Sequence, residues 1–407
     1  MLAREYFIIL PLMRRLLHML LVAVLLLTFA GCGDINRPDT DKRLVLIYIA
    51  ATETDVSSTA SGNLVDLLHG HIPERNSKTE DLLVFFQDHD YSAASTKSEA
   101  TLSRYYTNRS GEIVQEIITN FGSDFDACTP ESFAKVLAAA DAASDPTIRD
   151  LLFSSHGTGW LPLGYFSGPG EKSSAPSKER KTIGVDCKTR NELDIKDFAS
   201  VLSNYHWEAL LLDCCFMGAV EFAYQLKDCS DWIIASPTEI MIQGFPYNCI
   251  LDQLFLHPGQ TGLEAICQNY YDLYQGLTGD YQSGTISLTK CSELDRLADV
   301  CANIVASQRS TMESVTRLSV QHFYRFDKDY FFDLAHYFEQ FATADQMAEF
   351  NAQLDKAVPF KKATEKFIGL KIDHYSGLSI YIPDPRYVNL NDYYGALDWN
   401  KKVKIIE

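Results

Sequence analysis

The sequence predicts an α/β fold, with a mostly parallel central sheet covered on both faces by helices and a mainly helical C-terminal region. Three observations carry this. Short apolar runs recur through the first two thirds of the chain, at RLVLIYIAA (43–51), DLLVFFQD (81–88), DLLFSS (150–155), EALLLD (208–213) and DWIIASP (231–237). Runs without polar alternation belong to strands buried on both faces. Longer amphipathic stretches separate them, which is the spacing that parallel crossovers need. Beyond about residue 256 the pattern turns mainly helical, in GLEAICQNYYDLYQGL, SELDRLADVCANIVASQ and ADQMAEFNAQLDKAV.

Taken in order, DINRPDTDK (34–42) is a polar linker and RLVLIYIAA the first buried strand. NLVDLLHG (63–70) continues as helix, DLLVFFQD is the second strand, SRYYTN (103–108) a short edge hairpin, and GEIVQEIITNF (111–121) a helix. TPESFAKVLAAADAAS (129–144) opens with Thr129 as N-cap and Pro130 at the first helical position, a strong start signal. DIKDFASVLSN (194–204) is a helix capped by Asp194, and FMGAVEFAYQLKD (216–228) reads as the helix between the last two parallel strands. TISLT (285–289) and GLSIYIP (377–383) are expected to pair as closing strands. GPGEKSSAPSKERKT (168–182), rich in Gly, Pro, Ser and basic residues, reads as a mobile surface loop.

The chain has 407 residues, 46% hydrophobic and 22% charged, the balance of a folded globular protein. With 54 acidic and 36 basic residues it lacks the basic face that a nucleic-acid backbone requires. Basic peptides are the better electrostatic match. At the N-terminus, Arg14 and Arg15 precede the apolar run MLLVAVLLLTFA (19–30), too short to span a bilayer comfortably, and Gly31 and Cys32 follow. Residues 1–31 therefore read as a signal peptide. FAGC (29–32) resembles the bacterial lipobox, which would make Cys32 a lipidated N-terminus; a plain secretory signal is the other reading. MRRLLHMLLVAVLLLTFAGC is the more compact signal, so translation is expected to start at Met13.

Chemistry is expected at the carboxyl ends of the strands, where open α/β sheets collect their sites. His156 ends one strand and the pair Cys214/Cys215 ends another. A cysteine nucleophile needs a base or a positive field, and donors for the oxyanion. Cys215 would sit where a helix presents its amino-terminal N–H groups, and the N–H of Gly157 would serve the oxyanion. Strand alternation puts Asp213 and Cys215 on one side and turns Cys214 away as buried filler. Asp213 could then form the floor of a pocket for a cationic side chain; its alternative is a structural carboxylate. No CxxC occurs, and a zinc site on Cys187, Cys214 and Cys215 has no supporting ligand spacing. GxGxxG and Walker motifs are absent and the acidic loops lack EF-hand spacing, so no cofactor is expected and calcium has no motif.

HGTGW (156–160), LLLDCCFMG (210–218), ASPTEIMIQGFPY (235–247) and GLSIYIPDPRY (377–387) resemble, in order, the blocks of the clostripain family of cysteine peptidases, relatives of caspases, legumain and gingipains. The resemblance runs from about Arg43 to the C-terminus. It implies a caspase-like α/β/α sandwich and an endopeptidase that cleaves after Arg or Lys with a Cys–His dyad. His156 and Cys215 take the dyad positions, Gly157 the oxyanion glycine and Asp213 the pocket aspartate. Where the family usually carries an acidic pair after Ala-Ser, this chain has Pro237 and Thr238, with Glu239 next as a substrate-binding candidate.

The resemblance further implies self-cleavage between the histidine and cysteine strands, at Lys178, Arg180 or Lys181. The expected organisation is a signal peptide (1–31), a linker (32–42), a peptidase domain (43–255) and a mainly helical region completing the fold (256–407). Its partners would be protein or peptide substrates and, through the lipid anchor, a membrane of the bacterial cell envelope, at the outer membrane or in the periplasm. The competing reading is a catalytically silent caspase-like surface lipoprotein that binds peptides or glycans. A solute-binding lipoprotein would need a second lobe that the helical last third does not supply.

Overall fold

The computed structural model describes residues 41–90, 96–163, 183–324 and 329–407. Cys32 and the signal segment, and Lys178, Arg180 and Lys181, lie outside the described residues. Strands β1 (Arg43–Ala51), β2 (Glu80–Asp90), β3 (Thr96–Lys97), β4 (Ala100–Thr107), β5 (Ile113–Gly122), β6 (Ile148–Ser154), β7 (Trp207–Asp213), β8 (Ser230–Ala235) and β9 (Thr285–Lys290) are followed by the short β10 (Phe332–Asp333), β11 (Phe360–Ala363), β12 (Lys366–Phe367), β13 (Leu370–Lys371) and β14 (Ser379–Ile380). The helices are α1 (Thr54–Leu67), α2 (Pro130–Ser144), α3 (Ile195–Leu202), α4 (Val220–Leu226), α5 (Tyr247–Phe255), α6 (Gln260–Gln275), α7 (Leu294–Glu313), α8 (Leu334–Glu339), α9 (Ala344–Ala357), α10 (Val388–Gly395) and α11 (Asp398–Val403). None among the described residues is long and apolar enough to cross a membrane.

One sheet runs β11-β9-β8-β7-β6-β1-β2-β4-β5, with β3 paired to β2. Its five central strands, β2, β1, β6, β7 and β8, are mutually parallel. Antiparallel strands flank them on both sides. Side chains of β1 alternate between two cores: Leu44, Leu46 and Tyr48 face the layer that includes α2, α3, α4 and α7, whereas Val45, Ile47 and Ile49 face α1, α5 and α6. The expected α/β/α sandwich is therefore present, and the apolar runs are its parallel strands. Thr129 caps α2 by accepting from the Ser132 N–H, and Asp194 caps α3 by accepting from the Lys196 N–H, as predicted.

Three elements differ from expectation. GEIVQEIITNF is not a helix but strand β5, and SRYYTN is not a hairpin but the end of its partner β4. Two register shifts leave Ile118 and Phe121 without cross-strand partners, and both pack against the core while Ile113 and Ile117 stay exposed. Bulges of this kind break the alternation that marks a strand. The closing pair is also different: β9 pairs with β11, and GLSIYIP contributes only β14, paired with β10 in a separate ribbon. Finally, Phe216–Ala219 is irregular, and the helix that follows β7 starts only at Val220.

Candidate active site

β6 and β7 are adjacent and parallel, with Ser154 opposite Asp213. His156 and Cys215 each follow two residues later, so the two reactive side chains leave the sheet at the same level. His156 is buried and Cys215 half-buried. Between them the loops pack backbone on backbone. A Cβ at Gly157 would lie 2.6 Å from the Cys215 carbonyl oxygen and 2.9 Å from the Cys214 Cβ. Any side chain at position 157 would thus wedge the loops apart. The Gly157 N–H itself is buried and makes no hydrogen bond among the described residues.

Cys214 faces the first core with Leu210 and Leu212, its sulfur 3.5 Å from the Phe153 carbonyl oxygen, and burial pushes its thiol pKa well up. Cys214 is the buried member of the pair, and Cys215, half-buried, packs against the same core. Phe216 adopts φ 63°, a left-handed backbone unfavourable to a bulky side chain. Its ring stacks on Phe331 at 4.7 Å and its N–H donates to the Thr238 carbonyl at 2.8 Å, which offsets the strain. The Gly218 N–H donates to the Ser236 carbonyl, and the Ser379 N–H to the Gly218 carbonyl, both at 2.8 Å. The loop that follows Cys215 is held from two sides.

The expectation of a helix terminus at Cys215 is corrected: α4 begins five residues later. The group that faces the sulfur is the Ile240 N–H, which donates to Sγ at 3.3 Å. Its segment is anchored where the Ser236, Thr238 and Thr285 hydroxyls meet at 2.8–3.1 Å. Glu239, half-buried, is the residue before Ile240. Composition gives no sign of a backbone donor arriving from a third loop, although ASPTEIMIQGFPY contains it.

Asp213 lies on the opposite face from Cys214 and is 7% exposed. Oδ2 accepts from the Tyr247 hydroxyl at 2.5 Å and the Ser154 hydroxyl at 3.0 Å. Oδ1 has no hydrogen-bond partner among the described residues. Burial pushes the carboxyl above the usual range, and the two hydroxyls oppose that shift. Gly244, at φ 65°, would place a Cβ 3.1 Å from Oδ2, so its lack of a side chain keeps the space beside the carboxylate open. Asn63 and the Tyr274 hydroxyl border the same Gly244. Tyr247 and Gly244 were invisible as site residues in sequence, since both belong to a block that reads as strand end and turn.

A metal finds little support. Among the described residues, His336, Glu339 and His374 form the group whose ligand atoms lie within 4.8 Å of one another. The two rings stack at 3.5 Å and 15°, so their in-plane lone pairs run side by side and do not converge. Nδ1 of His336 accepts from the Gln321 N–H at 2.9 Å, which leaves Nε2 to carry the ring proton of the neutral form. Cys187, Cys214 and Cys215 belong to no such group, and the described cysteines are all free.

The sheet, and the histidine and cysteine at the level ends of its adjacent parallel strands, are accompanied by a family match that makes the enzyme a cysteine peptidase. The chain belongs to the clostripain family, whose sequence profile matches residues 47–404. It is similar in structure to an inactive zymogen of a C11 protease from Parabacteroides distasonis, with 28% identity and TM-score 0.74, covering 90% of this chain and 99% of that one. It is likewise similar to iotapain, a secreted C11 cysteine protease from Bacteroides thetaiotaomicron, with 27% identity and TM-score 0.73, covering 89% and 99%. A search of curated proteins returned no significant match.

Gly157→Ala tests the close packing of the loops. It is expected to lower kcat/KM on any peptide substrate by about 100-fold or more, the loss that a displacement of about 1 Å in a site can bring, while far-UV circular dichroism stays that of the parent.

Proposed function

We propose that this chain is an exported, lipid-anchored cysteine endopeptidase that cleaves after Arg or Lys. Cys215 is the nucleophile and His156 the general base. The Cys215 sulfur attacks the scissile carbonyl carbon as its proton passes to His156, and the carbonyl π electrons move to the oxygen beside the Gly157 N–H. Collapse of this intermediate breaks the C–N bond, with His156 returning the proton to the leaving amine. Water, deprotonated by His156, then hydrolyses the acyl-enzyme and frees the thiol.

One observation supports the basic preference above others: Asp213 keeps one carboxylate oxygen without a hydrogen-bond donor, in a buried setting with no basic side chain bound to it among the described residues. A guanidinium or ammonium from the substrate supplies both the missing donor and the counter-charge. Glu239 supplies additional negative charge at the mouth. Export is supported by the signal-like N-terminus and by the secreted character of iotapain.

The deciding experiment is a fluorogenic panel varied at the residue before the scissile bond. Cys215→Ala and His156→Ala should each abolish turnover, and Cys214→Ala should keep most of it. Asp213→Asn should lose about 2–4 kcal/mol of preference for Arg and Lys over an apolar residue. A wild type preferring acidic or apolar residues defeats the pocket reading.

Self-cleavage after Lys178, Arg180 or Lys181 is part of the same proposal. Purified wild type should fragment there with the pieces staying associated, and Cys215→Ala should remain a single band. Equal fragmentation of both would point to a contaminating protease.

For the anchor, metabolic palmitate label and membrane sedimentation should both depend on Cys32. A Cys32→Ala protein that is exported yet still membrane-bound would rule the anchor out.

A further inference from the structure

Glu221 lies on the sheet face opposite Asp213, in the first turn of α4 and six residues after Cys215. It is fully buried. Oε1 accepts from the Tyr381 N–H at 2.8 Å. Among the described residues Oε2 has no hydrogen bond, and two other buried polar groups, the Tyr394 hydroxyl and the Trp160 Nε1–H, have none either. These orphans belong to one packed ring. Trp160 lies 4.8 Å from Tyr381 and 5.1 Å from Tyr394, those two tyrosines are 5.0 Å apart, and the Tyr394 hydroxyl is within electrostatic reach of the Glu221 carboxyl.

Two members of the ring lead to the loops that carry His156 and Cys215. Trp160 is four residues after His156. Tyr381 continues β14, whose Ser379 holds the Gly218 carbonyl. The loops also meet directly, since a Cβ at Gly159 would lie 2.6 Å from the Phe216 carbonyl oxygen.

No charged side chain among the described residues bonds to Glu221. The other elements packed on α4 have theirs engaged elsewhere: on α7, Asp295 binds Tyr224 and Lys227; on α11, Asp398 binds Gln225 and Lys401; in the turn Cys291–Glu293, the Glu293 carboxylate accepts from Gln353. On α3, Asp197 interacts with Asp194 and Glu131, and the Asp194 carboxylate accepts from Tyr393. A buried carboxylate with one bare oxygen and no cation is strongly disfavoured, whereas the neutral acid is tolerated.

We propose that Glu221 is a positioning residue which, as a neutral acid, braces the cysteine and histidine loops from behind through Tyr381, Trp160 and Tyr394. This rests on the reading of Cys215 and His156 as the reacting pair. Burial pushes the Glu221 pKa up to about 7, opposed by the Tyr381 N–H, by the residue's own N–H and by the nearby Tyr394 hydroxyl. Above that pH a charged Oε2 draws in the orphaned donors, and drawing in Trp160 displaces the segment that carries His156.

The consequence for stability has a definite sign. The folded protein holds a proton that the unfolded chain has lost between the ordinary glutamate range and about pH 7, so stability falls as pH rises through that window and levels off above it.

Glu221→Gln stays neutral and keeps an acceptor for the Tyr381 N–H. Between about pH 4.5 and about pH 7 the wild-type Tm should fall relative to that of Glu221→Gln, with no further relative fall above. The kcat/KM profile and the rate of Cys215 alkylation by iodoacetamide should share the limb set by the cysteine and histidine in both proteins, with a loss above about pH 7 in wild type that Glu221→Gln lacks. The ratio of kcat/KM at about pH 8.5 to that at about pH 6 should then be at least about fivefold higher in Glu221→Gln. Tyr394→Phe, which removes a hydroxyl favouring the charged form, should move the wild-type break to higher pH. Parallel Tm curves and superimposable profiles of wild type and Glu221→Gln would overturn the proposal; if that variant does not fold, an unmoved break in Tyr394→Phe would do so alone. Tm and alkylation require no peptide, so they stay readable even if the Arg/Lys preference fails.

Discussion

The site depends on β6 and β7 ending level, with Ser154 opposite Asp213 and one backbone contact closing the gap beyond them. Parallel pairing fixes the height at which each chain leaves the sheet, and the side chain missing at Gly157 lets the two exits touch. Without both conditions His156 and Cys215 would be near in topology yet not held to one geometry. The rest of the site adds stiffness to this arrangement, through the stacked Phe216 ring, the hydroxyl trio at Ser236, Thr238 and Thr285, and the Gly218 carbonyl bonded to Ser379.

The central strand layer divides the work around the nucleophile. Alternation at the end of β7 sends Asp213 toward Tyr247 and the α5–α6 layer, and Cys214 toward the core that contains Glu221, Trp160 and Tyr381. The surroundings of Asp213 can thus be altered on one face while the packing that fixes the loops is left intact on the other. Both faces place a carboxyl in low dielectric, with different surroundings. Asp213 has two hydroxyl donors on one oxygen and space beside it. Glu221 has one backbone donor, and aromatic rings fill its vicinity.

Legibility in sequence followed burial. β1 spans the residues expected of it because a strand buried on both faces is written as a continuous apolar run. The strand-end positions of His156 and Cys215 followed from the same signal. β5 was misread because its bulges convert alternation into spacings of three and four. β11, with the sequence FKKA, was missed because an edge strand can place its lysines over aromatic rings, as Lys362 lies over Tyr271, and needs no apolar run. The helix after Cys215 was started too early, since Phe216 and Met217 look like its first apolar turn but fill the core as loop residues. The donor from Ile240 and the brace at Glu221 depend on contacts between residues 25 and 160 positions apart, which no local pattern encodes.

The sheet order has a further consequence for how the chain acquires its shape. β8 is completed by β9, whose outer partner β11 lies some seventy residues further on, and the stacking partner of Phe216 comes from position 331. A nascent chain ending near residue 255 would carry β8 with a bare edge and a Cys215 loop that lacks its contacts with Phe331 and Ser379. Closing those gaps late imposes long loop-closure distances, which slows folding and prolongs the unfolded interval. The same delay postpones the moment at which a reactive thiol is correctly held until nearly the whole sequence has been delivered.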